Sequence, residues 1–206
     1  MLRHGPPDSR LYAVLCLGET VHVSALGPLR ECLYDADSPT RAVTIEVLRQ
    51  YRRFTEFDNM LAELRSEVLD SSLHTERRRL AARAVGELRD AGAPPVLIAA
   101  MADADGLLAS AAHRSLTMLT RQDFGSDLDA WQSWWERAKG QRRVQWLIDA
   151  LLHDDASTRH EASEELKKLT GQFFGFYFNL PRREREKAWR RYQDWWEREG
   201  AHSALK

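Results

Sequence analysis

Very little in this chain names a chemistry. Cys16 and Cys32 are its two cysteines in 206 residues, too few for a disulfide framework. Both sit in apolar helical contexts, which predicts buried thiols in a reducing compartment. No run approaches the roughly twenty apolar residues that span a bilayer. The apolar stretch Leu11 to Leu17 follows Arg10, precedes Glu19 and His22, and has no clear small-residue cleavage site. A cytoplasmic chain without membrane contact is expected. An excess of one charge is also missing: 30 basic against 31 acidic residues leave a formal net charge of −1. That gives no support to a dedicated phosphate-backbone binder, which usually carries a basic excess or a basic face. No Ser/His/Asp or Cys/His set, phosphate-cradling glycine loop or nucleotide fingerprint is present.

What the chain does have is a helical frame, Arg-x-x-Ala-x-x-x-Leu, repeated five times in one phase. The copies are Arg10/Ala13/Leu17, Arg41/Thr44/Leu48/Tyr51, Arg78/Ala81/Val85/Leu88, Ala109/Ala112/Leu116/Leu119 and Arg159/Ala162/Leu166/Leu169. From one central small residue to the next the steps are 31, 37, 31 and 50 residues. Recurrence at that length is the signature of stacked helical units. The small residue lets neighbouring helices approach, and the Leu or Val four places on fills the seam.

Each phased helix needs a partner upstream. Pro28 to Leu33, Pro94 to Met101 and Val144 to Leu151 supply three, and about Phe57 to Leu69 a fourth. Pro28, Pro94 and Pro95 suit a first helical turn, where a missing N–H costs nothing. Acidic turns follow at Asp35-Ala-Asp37, Asp103-Ala-Asp105 and Asp154-Asp155, with Asp37, Asp105 and Asp155 expected as N-caps. The first phased helix has no partner before it, so an irregular N-terminal cap or a longer array is expected there.

The 50-residue step holds an extra aromatic segment that is itself duplicated. Leu119-Thr-Arg-Gln122-Asp-Phe124-Gly125 returns as Leu169-Thr-Gly171-Gln172-Phe-Phe174-Gly175. Trp131-Gln-Ser-Trp134-Trp135 returns as Tyr192-Gln-Asp-Trp195-Trp196, with eleven more residues in the later loop. Gly171 can take the left-handed conformation that ends a helix. Trp131, Trp134 and Trp135 share one helical face, as do Trp189, Tyr192 and Trp196, so these rings are expected to pack on Phe124 and Phe174. A stacking groove for a nucleobase, sugar or quaternary ammonium is the alternative.

The helix pairs, the Asp-rich inner turns and the Arg-x-x-Ala-x-x-x-Leu second helices resemble HEAT-like repeats of the short bacterial kind, from about Asp8 to Leu169. The resemblance implies an all-α, right-handed α-solenoid of antiparallel helix pairs with an aromatic C-terminal cap. The expected organisation is a single domain, 1–206, with the array at about 8–169, an aromatic insertion at 120–139 and the cap at 170–200. Among HEAT-like enzymes, di-iron deoxyhypusine hydroxylases require several His-Glu pairs, and here only His160-Glu161 exists. That pair also fails as a zinc-peptidase motif, which wants a second His where Glu164 stands. Nothing selects a bilin lyase's tetrapyrrole. DNA-glycosylase-like binding is weakened because the exposed second-helix positions Glu46, Arg83, Arg114 and Glu164 are of mixed sign and form no basic stripe. Arg77-Arg78-Arg79 with Arg83, and Arg182 to Lys187, remain as possible phosphate contacts.

The reading is therefore non-catalytic: a scaffold or adaptor that holds another protein, with no cofactor or metal. Nucleic-acid binding ranks second and a repeat-type enzyme third. On second-helix geometry the expected contact residues are Arg79, Arg83, His113, Arg114, Glu161 and Glu164.

Overall fold

The computed structural model describes residues 5–202, which form eleven α-helices, three short 3-10 turns and no strand. The chain falls into two compact units, and the boundary between Leu119 and Thr120 coincides with the start of the first aromatic segment. No helix among the described residues is long and apolar enough to cross a membrane.

The first unit holds α1 (Pro7–Glu19), α2 (Leu26–Cys32), α3 (Ser38–Leu48), α4 (Thr55–Leu69), α5 (Thr75–Glu87), α6 (Pro94–Ala100) and α7 (Gly106–Thr120), the last ending one residue past the boundary. Helices α2, α4 and α6 neighbour one another in turn, α1 packs on α3, and the layers are joined through α2 with α3 and α4 with α5. First and second helices of the pairs thus form two layers. Thr44, Ala81, Ala112, Leu48, Val85 and Leu116 are fully buried, as the frame requires. In α1 the equivalent Ala13 and Leu17 are only partly buried.

Side-chain caps start the second helices α3, α5 and α7. Asp37 accepts from Thr40 N at 2.9 Å and Asp105 from Leu108 N at 3.0 Å, and both were expected. Pro94 and Pro95 open α6, whereas Pro28 is the third residue of its helix, which begins at Leu26. The irregular cap expected before α1 falls partly on residues 1–4, outside the described residues.

The frame arginines have a role that the motif alone did not reveal. Arg10 Nε lies 2.7 Å from Asp35 Oδ2, and Arg78 Nη2 lies 2.7 Å from Asp103 Oδ2. In each case the helix of one pair is clamped to the turn of the next, 25 residues on. The same aspartates also close their own turns, accepting from Asp37 N at 2.8 Å and Asp105 N at 2.9 Å. The Arg10 guanidinium holds the Asp35 carboxyl below the usual carboxylate range, because the charged form is the one it bonds. Arg78 also donates to Val68 O at 3.0 Å from a buried position.

Two glycines let second helices touch. A Cβ at Gly18 would lie 2.9 Å from Val47, and one at Gly86 would lie 2.7 Å from Ser115. Both glycines stand five places after their central alanine, and Gly86 is a buried close-approach residue. The same geometry corrects the expectation for Cys16. Cys32 is buried but Cys16 is exposed. The aligned Val47 is buried under Gly18 of the preceding helix, and α1 has no preceding second helix among the described residues.

The second unit holds α8 (Leu128–Ala138), α9 (Arg143–Ala150), α10 (Ala156–Thr170) and α11 (Arg182–Arg198), with α9 packed against both α10 and α11. Leu147, Leu151, Leu166, Phe176, Tyr192 and Trp196 are central to its core. Asp155 caps α10, accepting from Thr158 N at 2.6 Å. Arg159, the frame arginine, is buried and donates to His153 O at 2.7 Å, Asp154 O at 2.6 Å and Phe178 O at 3.0 Å.

Both aromatic segments use the same local devices. Thr120 Oγ1 accepts from Gln122 N at 3.2 Å, and Thr170 Oγ1 from Gln172 N at 3.1 Å. Gly171 ends α10 at φ 68°, and at the aligned position Arg121 takes φ 58°. Arg121 is held there by ion pairs to Glu161 and Glu165. Phe124 meets Trp131 edge-on at 4.9 Å, and Phe174 meets Tyr192 at 4.8 Å. Trp131 Nε1 donates to Gly125 O at 3.0 Å, and Tyr192 OH to Gln172 O at 3.1 Å. Trp131 and Tyr192 pack on the two phenylalanines, as expected, whereas Trp134 and Trp135 meet Trp146.

Candidate partner-binding groove

Helical periodicity sorts the run Arg77-Arg78-Arg79 into three environments. Arg77 lies over the Tyr34 ring, 3.9 Å from its centroid, and bonds Glu67 Oε2 at 2.9 Å. Arg78 is the buried clamp already described. Arg79 alone faces outward from the second-helix layer, paired with Glu76. The run is therefore not a phosphate-binding cluster, because two of its three cations are committed to the fold. The other basic stretch is a salt-bridge-laced surface helix: Arg182 pairs with Glu186 at 3.1 Å and Lys187 with Glu184 at 2.8 Å.

Outward-facing α5 residues form one wall of a groove of about 380 Å³, and α7 forms the other. The α5 wall is Glu76, Arg79, Leu80, Arg83 and Glu87; the α7 wall is Leu107, Ala111, Arg114, Ser115 and Met118, with Arg41 of α3 at the edge. Each wall is one stripe at helical spacing, so the groove is a direct consequence of the repeat. Its volume is within the roughly 300–1,000 Å³ range of pockets that hold ligands. The two helices meet at Gly86 and Ser115, which fixes their separation at that end.

The walls differ in character. The α5 wall is charged, and its ions are paired along the helix: Arg83 Nε lies 2.6 Å from Glu87 Oε1, and Arg79 pairs with Glu76. Exposed pairs of this kind are worth about 0–1 kcal/mol, so they open at little cost. The α7 wall is mainly apolar, and Leu107 is 63% exposed. Arg114 in its middle donates to Ser110 Oγ at 2.6 Å and has no carboxylate partner among the described residues. Arg41 is tied to backbone, donating to Ala36 O at 3.0 Å and to Asp35 O. Four guanidinium groups against two carboxylates leave the lining net positive.

Of the expected contact residues, Arg79, Arg83 and Arg114 line this groove. His113 is half-buried on α7 and is not among the lining residues. Glu161 and Glu164 belong to the second unit, where both are exposed and Glu161 pairs with Arg121. Arg41, Leu107 and Met118 were missed. Leu107 and Met118 were legible in principle, since they share a stripe with Ala111 and Arg114 at i, i+4, i+7 and i+11.

A broader groove of about 1470 Å³ lies between α1 and α2, lined by Tyr12, Cys16, Arg30 and Tyr34 among others. Its charged groups already have partners, Arg10 with Asp35 and Arg30 with Glu67, and Tyr34 OH donates to Glu67 Oε2 at 2.6 Å. In the α5–α7 groove, among the described residues, Arg79 and Arg83 are held only by pairs within their own helix and Arg114 only by Ser110, so it is the candidate site. Compared with known proteins, the chain matches no family model and no curated protein sequence.

Proposed function

We propose that this chain is a non-catalytic scaffold or adaptor that holds a protein partner in the α5–α7 groove. On this reading the helix pairs of the first unit are HEAT-like repeats stacked in a right-handed sense. Each repeat then contributes a few side chains to a rigid surface. The observation that carries the reading is the lining itself: an apolar stripe, exposed at Leu107, facing weakly paired arginines on consecutive second helices. Such a mixture suits a peptide segment, because it offers apolar burial together with charge-fixed register. Glu76 and Glu87 at the two ends of the α5 stripe interrupt any basic track, so a continuous phosphate backbone fits it less well.

Affinity capture of the tagged chain from its native lysate, with and without nuclease, tests the reading. A defined protein partner that survives nuclease and is lost with Arg83→Glu supports it. Partners that vanish with nuclease overturn it in favour of nucleic acid.

A further inference from the structure

Resting on that reading, we propose that the groove takes an extended segment of the partner with the pattern acidic–apolar–acidic. The register follows from the spacing of the walls. Arg79 and Arg83 are four residues apart on α5, a rise of about 6 Å at 1.5 Å per residue. Alternate residues of an extended segment are about 6.8 Å apart and face the same way. A segment lying along the groove therefore sets two side chains against Arg79 and Arg83, and turns the one between them toward α7. There it faces Ala111, with the largely exposed Leu107 one turn of α7 before it and Met118 two turns after. Arg114 occupies the α7 position aligned with Arg83, one repeat on, and adds a second guanidinium for the carboxylate at that end.

The ends of the stripe limit the pattern. Glu76 lies three residues before Arg79, and Glu87 four residues after Arg83. A third carboxylate in line would meet like charge at either end, whereas a lysine or arginine would be matched. The groove thus selects two acids around one apolar residue and disfavours a longer polyanion. Arg83 and Arg79 leave only exposed intrahelical partners to engage the segment.

The test uses the full chain and a fluorescein-labelled nine-residue peptide with glutamate–leucine–glutamate at its centre, glycine and serine elsewhere. Its controls carry lysine–leucine–lysine or glutamate–serine–glutamate, and a fifteen-nucleotide oligothymidylate serves as competitor. Fluorescence anisotropy should give binding at least about tenfold weaker for either control peptide. The Arg83→Glu/Arg114→Glu variant should lose binding by at least the same factor, with unchanged circular dichroism. Arg182→Glu/Arg183→Glu, on exposed positions of α11, should bind as the parent does. Equal binding of the lysine peptide, binding that survives in the Arg83/Arg114 variant, or tighter binding of the oligonucleotide overturns the proposal. A lysate partner still captured by the Arg83/Arg114 variant leaves the scaffold reading standing and removes only this groove assignment.

Discussion

Replacing Arg78 by methionine should cost far more than replacing its neighbour Arg79 in the same way. Methionine keeps most of the apolar stem and removes the guanidinium. At Arg78 the loss is two bonds, Nε to Val68 O at 3.0 Å and Nη2 to Asp103 Oδ2 at 2.7 Å. Hydrogen bonds to charged groups are worth about 1.5–3 kcal/mol each. The Asp103 side chain keeps 21% of its surface in water, which softens the penalty of leaving it unpaired. A total near 3 kcal/mol follows, or a melting shift of roughly 6–12 °C for a chain of this size. Arg79 has only an exposed i,i+3 pair with Glu76, so its loss should cost about 0–1 kcal/mol. Urea melts followed by circular dichroism measure both, and a double-mutant cycle with Asp103→Asn isolates the clamp. If the two methionine variants unfold within about 0.5 kcal/mol of each other, the clamp does not hold the repeats in register.

Iodoacetamide should modify Cys16 in the native chain and reach Cys32 only after denaturation, as peptide mass spectrometry would show; the opposite order would refute the exposure argument. Burial pushes the Cys32 thiol from its ordinary 9.0 up to about 11. The folded chain then holds its proton where the unfolded chain has lost it, so stability is full below pH 9 and declines toward pH 11 by about 2 kcal/mol. Cys32→Ala should flatten that part of the pH–stability curve, and an unchanged slope would assign it elsewhere. Gly86→Ala puts a methyl group 2.7 Å from the Ser115 Cβ and 3.0 Å from its Cα, and overpacking of this kind costs about 1–3 kcal/mol. Gly27→Ala, with nothing within 4 Å, should be neutral or stabilising in the same denaturant melt; equal losses at both sites would mean that the helices do not approach at Gly86.

The layered helices were legible because apolar residues recur at the helical period and the same small residue falls in each seam. Caps at Asp37, Asp105 and Asp155 were legible for a local reason, since a cap needs only its own first turn. The clamp between Arg78 and Asp103 was not, because it joins residues 25 apart and depends on how two pairs stack. Cys16 was misread for a related reason. Its neighbours in sequence are apolar, but burial at that frame position comes from the preceding second helix, a fact of order along the array. The division at Leu119 and Thr120 was likewise invisible to a motif whose phase continues beyond it into α10.

Repetition within the chain separates packing from recognition better than composition does. Where two copies agree at a seam or ring position, the shared residue packs: Phe124 and Phe174 meet the rings, and Ala81 and Ala112 serve the core. Two positions of the second aromatic segment that differ from the first reach the surface. Phe173 stands where the first aromatic copy has Asp123, and Tyr177 lies in the longer loop; both are exposed, with their rings 5.4 Å apart. The same holds in the groove at Glu76 and Leu107, aligned positions on adjacent second helices with opposite character. Arg83 and Arg114 depart from it, being alike in both copies and yet exposed. A residue repeated at the surface gains nothing from packing, so its repetition needs a second cause. Two aligned guanidinium groups converging on one carboxylate would supply it, which is why the paired Arg83/Arg114 variant is the more discriminating test than either change alone.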